Sequence, residues 1–247
     1  MFGALWLYNL PTLSRRPFGD FRAIVFDFDG TLTDFVASDL QALSHLHRHA
    51  GVETPLDTFI EASVDAIMSF HGRVEQGSSN PLLMHLERLQ ATFAHCGAEW
   101  REEYVAVYRD QLVTSCAPSV GAVKLLRALQ PHFKLGLLTN AYDGKEQRAR
   151  LEWSGLDRYF SVVVVSGEVG IFKPDPQIFH HTLDLLGVEP HEALYVGDSP
   201  SHDVEGAVAA GMSAVLIRRG PAHPRAFLTV STLNEILSLC SAEMTAT

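Results

Sequence analysis

The sequence predicts an α/β fold: a doubly wound parallel sheet with helices on both faces and a helical segment inserted after the first strand. Five short runs of apolar, mostly β-branched residues occur along the chain. Near-continuous runs of this kind are typical of strands that are buried on both faces of a parallel sheet. Helical patterns separate several of these runs, and this alternation indicates an α/β domain.

Each of the five predicted strands has the length of a typical strand and ends at polar or turn residues. The first, AIVFDF, ends in an Asp-Gly pair, which is a turn signal. The predicted strands cover residues 23–28, 135–140, 161–166, 193–198 and 213–219. Right-handed crossovers between parallel strands place all of their carboxyl ends at one edge of the sheet, so we expect any ligand site there.

Three helices are predicted between these strands, at residues 120–129, 176–186 and 204–210. The second has the clearest start, because Asp175 is a suitable N-cap and Pro176 suits the first helical position. Apolar residues at helical spacing in the first two indicate one buried face each.

The stretch from about residue 34 to 117 contains no convincing strand. It has Ala-, Leu-, Glu- and His-rich segments separated by glycine and proline, which predicts a helical insert. We therefore divide the chain into an N-terminal extension (1–20), an α/β core (21–35 and 116–247) and a helical insert (36–115). In the extension, the basic pair follows the apolar stretch, the wrong order for a secretory signal.

Composition narrows the classes of partner. The chain has 247 residues, a net charge of −10 and no basic stripe, which argues against binding to nucleic acid. No apolar run reaches membrane-spanning length, so no membrane partner is expected. Three widely spaced cysteines suggest neither a disulfide framework nor a metal site, which favours a reducing cytoplasm. The oligomeric state stays open.

Polar side chains gather at the predicted strand ends. Asp27 and Asp29 end the first strand, Thr139 and Asn140 the second, and Asp198 the fourth, and these are joined by Lys173 and Asp203 from nearby loops. Four carboxylates facing one lysine would repel one another and any anionic substrate. Because oxygen ligands without histidine or cysteine favour Mg²⁺, we expect Mg²⁺ and a phosphoryl group to complete the site.

Four segments carry a family resemblance: DFDGTLTD at Asp27, LLTN at Thr139, GIFKPDPQIF at Lys173 and GDSPSHD at Asp198. Because these four segments occur in this order, the chain resembles the haloacid dehalogenase superfamily of phosphatases over residues 22–237. The third segment looks most like the branch with pyrimidine nucleotidases and acylneuraminate phosphate phosphatases. The resemblance implies a Rossmann-like core and a helical type 1 cap, matched here only in type.

The resemblance also implies roles for the core residues. Asp27 would attack phosphorus and form an aspartyl-phosphate, while Asp29 would act as general acid and then base. Thr139 and Lys173 would hold the phosphoryl group, aided by backbone N–H groups near Gly30 and Asn140. The residues expected at Mg²⁺ are Asp27, Asp29 through its carbonyl and Asp198, with Asp203 close by or acting through water.

The expected activity is hydrolysis of a small phosphorylated metabolite, with a nucleoside monophosphate as the first candidate and a sugar phosphate as the second. In the insert Arg73 is a candidate for contacting a substrate anion, and after the second motif Tyr142 is a candidate for bordering the substrate. Both have an ordinary structural interpretation, as a surface residue and as a packing residue.

Three alternatives remain at the level of sequence. A dehalogenase would share the fold and Asp27, but it needs no acid for a leaving oxygen, so Asp29 argues against it. A phosphomutase would share all four motifs. A non-catalytic binding module is disfavoured because Asp27, Asp29, Lys173 and Asp198 are all present.

Overall fold

The computed structural model describes residues 18–244. Most of the predicted extension, residues 1–17, lies outside the described residues. Its last residues, Phe18–Asp20, form a 3₁₀ turn. Phe18 is buried in the core, where its ring meets the edge of Phe227 with 6.0 Å between centroids.

Six parallel strands form one sheet in the order β3-β2-β1-β4-β5-β6. Their bounds are β1 Ala23–Phe26, β2 Lys134–Thr139, β3 Val162–Val165, β4 Ala193–Gly197, β5 Ser213–Ile217 and β6 Leu228–Val230. The predicted α/β class and parallel sheet are confirmed, and each of the five predicted runs contains a strand. The sequence prediction missed β6, because three residues are too few to give a periodic signal.

The register brings the carboxyl ends of three neighbouring strands, β2, β1 and β4, close to one another. Phe26 at the end of β1 is paired with Leu137 of β2 on one side and with Val196 of β4 on the other. Residues that follow these positions therefore leave the sheet at the same edge. This register, rather than closeness along the chain, places the polar residues of three segments together.

Helices cover both faces of the sheet. One face packs on α5 (Ala122–Leu129), α6 (Gly144–Ser154) and α10 (Leu233–Met244). The other packs on α8 (Pro176–Leu186) and α9 (Glu205–Ala209), and a short helix, α7 (Ser166–Val169), follows β3. The helix predicted at 176–186 has those bounds, with Asp175 as its N-cap. The prediction missed α6 and α10.

The segment after β1 consists of four helices, α1 (Phe35–His49), α2 (Leu56–Glu75), α3 (Met84–His95) and α4 (Glu103–Thr114). They share an apolar cluster of their own that includes Phe59, Leu89 and Phe93. Buried Arg88 crosses this cluster and pairs with Asp39 at 2.8 Å. The insert thus has a core separate from that of the sheet. Among residues 18–244, no helix combines the length and the apolar character needed to cross a bilayer.

Candidate active site

A buried charge cluster lies just beyond the ends of β1 and β4. The Lys173 ammonium donates to Asp27 Oδ1 at 2.7 Å, to Asp203 Oδ1 at 2.7 Å and to the Tyr195 hydroxyl at 2.9 Å. All four side chains are buried. Burial shortens and strengthens such charged contacts, and it makes a missing partner costly.

The loop that carries Lys173 is fixed by Asn140 at the end of β2. The Asn140 carboxamide accepts from the backbone N–H of Lys173 at 2.9 Å and donates to the carbonyl of Lys173 at 3.0 Å. One side chain thereby satisfies both backbone groups of the lysine. The sequence prediction gave Asn140 a role in phosphate binding through its backbone, which stays a prediction; this side-chain role was missed.

Asp198 and Asp203 are placed by the turn after β4. Gly197 permits this turn, because a Cβ at this position would lie 2.4 Å from Asp203 Cγ. Asp203 Oδ2 accepts from the backbone N–H of Ser199 at 2.9 Å, which leaves Oδ1 for Lys173. The turn therefore aims both carboxylates of this motif at Asp27.

The donor set of this cluster fits a hard divalent cation. Oxygen atoms of Asp27, Asp198 and Asp203 all lie within 4.8 Å of one another. Asp27 Oδ2 is buried and has no hydrogen-bond partner among the described residues. An unpartnered buried carboxylate oxygen facing two further carboxylates is what Mg²⁺ would satisfy.

The pKa values of three groups in this cluster are raised. Burial raises the pKa of Asp27 to about 8, even though Lys173 lowers it, and the charges of Asp203 and Asp198 add to the rise. Burial also raises the pKa of Asp198. Burial disfavours the charge of Lys173, but Asp27 and Asp203 outweigh this effect and raise its pKa. Burial is thus the main cause of the rise for the two carboxyl groups, and the neighbouring carboxylates add to it; a divalent cation would offset both effects.

Gly30, in the turn after Asp29, has φ +85°, and its N–H already donates to the carbonyl of Thr33 at 2.8 Å. A role of this N–H in phosphate binding stays a prediction. The close neighbour of Gly30 is Asp198, since a Cβ at this position would lie 2.3 Å from Asp198 Oδ2. The turn therefore requires glycine for both its backbone conformation and its packing.

We expect Gly30→Ala to weaken Mg²⁺ binding at least about ten-fold, because the added methyl group displaces the Asp198 carboxylate and each 1.4 kcal/mol is a factor of ten. Calorimetric titration with Mg²⁺ measures this. Gly51→Ala is the matched control, since Gly51 has φ +62° and a Cβ there meets nothing within 4 Å. It carries a similar backbone cost and should keep its Mg²⁺ affinity. Equal affinities in the two variants would contradict the role assigned to the close contact.

The Asp29 carboxylate faces away from this cluster, toward α6. It accepts from Arg150 at 2.5 Å and 3.0 Å, one bond to each oxygen, and from Gln147 Nε2 at 2.8 Å. Arg150 is almost fully buried between the rings of Phe28 and Phe35. The predicted acid–base residue is therefore held by a fixed guanidinium that the sequence analysis did not identify.

Thr139 at the end of β2 belongs to the same network. Its hydroxyl accepts from Gln147 Nε2 at 2.9 Å, so Gln147 bridges Thr139 and Asp29. Gln147 and Arg150 lie three residues apart and both are buried. The available signal was polar residues at positions i and i+3 beside Leu151 in a segment of helix length. Tyr195, also missed, is an ordinary aromatic strand residue in the sequence.

A cavity of about 520 Å³ opens between the helical insert and the carboxyl edge of the sheet. Asp29, Asn140 and Tyr142 line it on the core side, and His71 lines it on the insert side. The Tyr142 hydroxyl lies 3.3 Å from His71 Nδ1. Arg73 is not among the lining residues; it pairs with Glu87 at 2.7 Å. The cavity therefore joins Asp29 to Tyr142 but not to Arg73.

Comparison with known families gives one matching family model, described as haloacid dehalogenase-like hydrolase, over residues 21–211. The chain is 42% identical over 140 residues to phosphoserine phosphatase of Thermus thermophilus, spanning 55% of each protein. It is 29% identical to pyrimidine 5′-nucleotidase YjjG of Escherichia coli over 83% of this chain and 84% of the relative. It is also 40% identical to N-acylneuraminate-9-phosphatase of Rattus norvegicus, over 37% of each. The predicted family and branch are confirmed.

The fold has close counterparts among solved structures. The HAD-hydrolase YfnB from Bacillus subtilis, whose structure is described as bound to magnesium, aligns with a TM-score of 0.75. The alignment covers 89% of this chain and 98% of that chain at 24% identity. At this identity the likeness concerns the fold alone.

Proposed function

The chain belongs to the haloacid dehalogenase-like hydrolases and is a phosphatase of that family, and we propose that it hydrolyses small phosphate monoesters with Mg²⁺ through an aspartyl-phosphate on Asp27. One observation carries the proposal. Among the described residues, oxygen atoms of three carboxylates lie within 4.8 Å of one another, two of these carboxylates share the buried ammonium of Lys173, and Asp27 Oδ2 has no partner. Such a cluster is poised for a cation and a phosphoryl group.

In the first proposed step a carboxylate oxygen of Asp27 attacks phosphorus. The new oxygen–phosphorus bond forms as the ester bond to the leaving oxygen breaks. Lys173, 2.7 Å from Asp27 Oδ1, orients this carboxylate and balances charge on the phosphoryl group. Thr139, at the neighbouring strand end, holds a phosphoryl oxygen.

Asp29 moves the protons in the proposed reaction. It gives its proton to the leaving oxygen, and in the second step it takes a proton from the water that attacks phosphorus. The bond between phosphorus and Asp27 then breaks, which releases inorganic phosphate and restores the carboxylate. Because Arg150 and Gln147 occupy both oxygens of Asp29, the residue must give up one of these contacts when it acts.

Asp27, Asp198 and the carbonyl of Asp29 are the proposed ligands of Mg²⁺, with Asp203 close by or acting through water. When bound, the ion would neutralise the carboxylates and stabilise negative charge on the transferred group. Lys173 alone does not offset burial and the charges of Asp203 and Asp198, which together raise the pKa of Asp27.

The proposed substrate is a small phosphorylated metabolite, with a nucleoside monophosphate first and a sugar phosphate second. The nucleotidase relative supports the first choice. Helices α1 to α4 stand over the carboxyl edge and enclose the cavity there, which supports a cap that selects the leaving group. Asp29 argues against a dehalogenase, which needs no acid for a leaving oxygen. A phosphomutase would differ by transferring the phosphoryl group back to the substrate.

The proposal is tested by assaying the full chain on an aryl phosphate. We expect hydrolysis with Mg²⁺, loss of activity with EDTA and recovery when Mg²⁺ is added back. Activity that is indifferent to EDTA would refute the metal assignment, and no hydrolysis of any phosphate monoester would refute the activity. Release of free phosphate, rather than an isomerised sugar phosphate, separates a phosphatase from a phosphomutase.

Mg²⁺ binding is expected to strengthen as the pH rises from 6 to 8, by up to about ten-fold per pH unit, because the ion displaces one proton. The folded metal-free chain holds a proton on Asp27 up to about pH 8, whereas the unfolded chain loses it near 3.8. Asp27 therefore makes the metal-free protein less stable as the pH rises between its unfolded pKa of 3.8 and its folded pKa of about 8. Thermal unfolding with and without Mg²⁺ should show a stabilisation by Mg²⁺ that grows with pH. A constant difference in Tm would contradict this.

A further inference from the structure

We propose that this enzyme selects phosphate esters whose leaving alcohol carries no second negative charge. The inference rests on the proposed phosphatase function and concerns the cavity that receives the leaving group. Asp29, the proposed proton donor, lines this cavity, so the alcohol that it protonates must lie there. The charges around the cavity therefore act most directly on the leaving group, since Asp27 and Lys173, the proposed partners of the phosphoryl group, are not among the lining residues.

The two arginines of the cavity are both engaged by carboxylates. Arg150 binds both oxygens of Asp29. Arg109 of α4 lies 2.8 Å from Glu146 Oε2 through Nε, and its Nη2 donates to Asp143 Oδ2. Neither guanidinium offers an unpaired positive charge to a substrate anion unless one of these pairs is broken.

The partners of Arg109 are themselves held in place. Asp143 caps α6, where its Oδ1 accepts from the backbone N–H groups of Lys145 and Glu146 at 3.0 Å and 3.2 Å. Glu146 Oε1 also lies 2.9 Å from Nε2 of buried His85. Because these carboxylates are fixed by the helix and by α3, they cannot swing aside cheaply to admit a competing anion.

The balance of charge around the cavity is negative. Apart from Asp29, the proposed proton donor, its described lining contains the carboxylates of Glu75, Asp143 and Glu146, against the guanidinium groups of Arg109 and Arg150. Burial lowers the pKa of His71, which keeps this ring neutral at physiological pH. The third histidine of the lining, His202, lies next to Ser199 and Ser201. An added carboxylate or phosphate would meet net repulsion here.

The remaining surface of the cavity favours a neutral body. Its walls include Phe35, Ile67, Leu82, Met84, Leu86 and Phe172. The ring of Tyr142 lies beside Phe172 with 5.6 Å between centroids, and beside His71 at 5.9 Å. Apolar and aromatic walls take up an uncharged ring or chain, whereas an ion would lose its hydration without gaining a partner. Selectivity thus comes from rejection of the anion as much as from attraction of the neutral group.

The test compares two aryl esters of the same shape, 4-carbamoylphenyl phosphate and 4-carboxyphenyl phosphate. With Mg²⁺ present, we expect kcat/KM for the neutral amide to exceed that for the carboxylate at least about ten-fold, as repulsion by one unpaired charge in a partly buried site predicts. Equal values, or a preference for the carboxylate, would overturn the inference while leaving the phosphatase function intact. No turnover of either ester, nor of any other phosphate, would instead refute the phosphatase function.

A substitution in the cavity lining tests whether the cavity causes this selectivity. Glu146→Gln removes one carboxylate and one partner of Arg109, so the ratio of the two kcat/KM values should fall about ten-fold toward one. The intrinsic reactivities of the two esters cancel in this comparison between proteins. Glu192→Gln is the matched control, since Glu192 pairs with exposed Arg22 next to the starts of β1 and β4, and its ratio should equal that of the wild type. A ratio that Glu146→Gln leaves unchanged would overturn the assignment.

Discussion

Asp27→Asn is expected to lower the turnover of an aryl phosphate at least about 10⁴-fold, the largest effect expected of any single substitution in this chain. An amide oxygen of the same shape is a poor nucleophile, so the covalent step fails while Lys173 keeps its contact with Asp203. Steady-state assays measure the loss. Intact mass after rapid acid quenching should show one phosphoryl group on the wild type and none on the variant.

The stability of this variant separates lost chemistry from lost folding. Below about pH 8 the metal-free protein holds a proton on Asp27, so the neutral amide replaces a neutral carboxyl group and the Tm of the metal-free protein should not fall. The matched control is Asp184→Asn, at an exposed position of α8, which should keep both its activity and its Tm. Turnover by Asp27→Asn at the wild-type rate would refute the proposed nucleophile.

Lys173→Met is expected to cost about 3–5 kcal/mol of stability at neutral pH without Mg²⁺, because the substitution leaves buried carboxylates uncompensated. Lys173 contacts Asp27 and Asp203 at 2.7 Å each, and it is 5% exposed. Turnover should fall by about 10²- to 10³-fold as well, since a fixed cation near the transferred group is lost. Urea unfolding and steady-state kinetics measure the two effects.

The pH dependence of this loss identifies its cause. Lys173 lowers the pKa of Asp27, so without the ammonium the folded variant should hold this proton still more tightly than the unfolded chain does, and it should regain stability as the pH falls. Mg²⁺ should restore part of the stability at neutral pH. Lys124→Met, at an exposed position of α5, is the control and should leave both quantities unchanged. A stability loss that is independent of both pH and Mg²⁺ would point to packing alone.

Chain patterns predicted the sheet and helix α8 because these signals are local. Strands that are buried on both faces read as continuous apolar runs, and helix α8 has a capping aspartate and a proline at its start. Helix α6 gave no such signal. Its buried residues are Gln147, Arg150 and Leu151, so its inner face is largely polar and the apolar periodicity is missing.

The candidate site shows the same division. The sequence placed Asp27, Lys173, Asp198 and Asp203 at one sheet edge, and the structure brings these side chains into one cluster. The sequence did not indicate that Asn140 would bind the backbone of Lys173, or that Tyr195 would donate to the carbonyl of Leu138. The place of a residue at a strand end follows from the strand topology. The partner of its side chain depends on which other elements pack beside it.

By itself, the sequence determined the parallel sheet, the edge that carries the chemistry and the excess of carboxylates there, because periodicity and strand topology fix these features. Only the tertiary structure decided which charges remain available to a substrate. Arg150 meets Asp29 from 121 residues away, and Arg109 meets Asp143 from 34 residues away. Such pairs depend on the packing of α4 and α6 against the sheet and the insert, and packing among distant elements leaves no regular spacing along the chain.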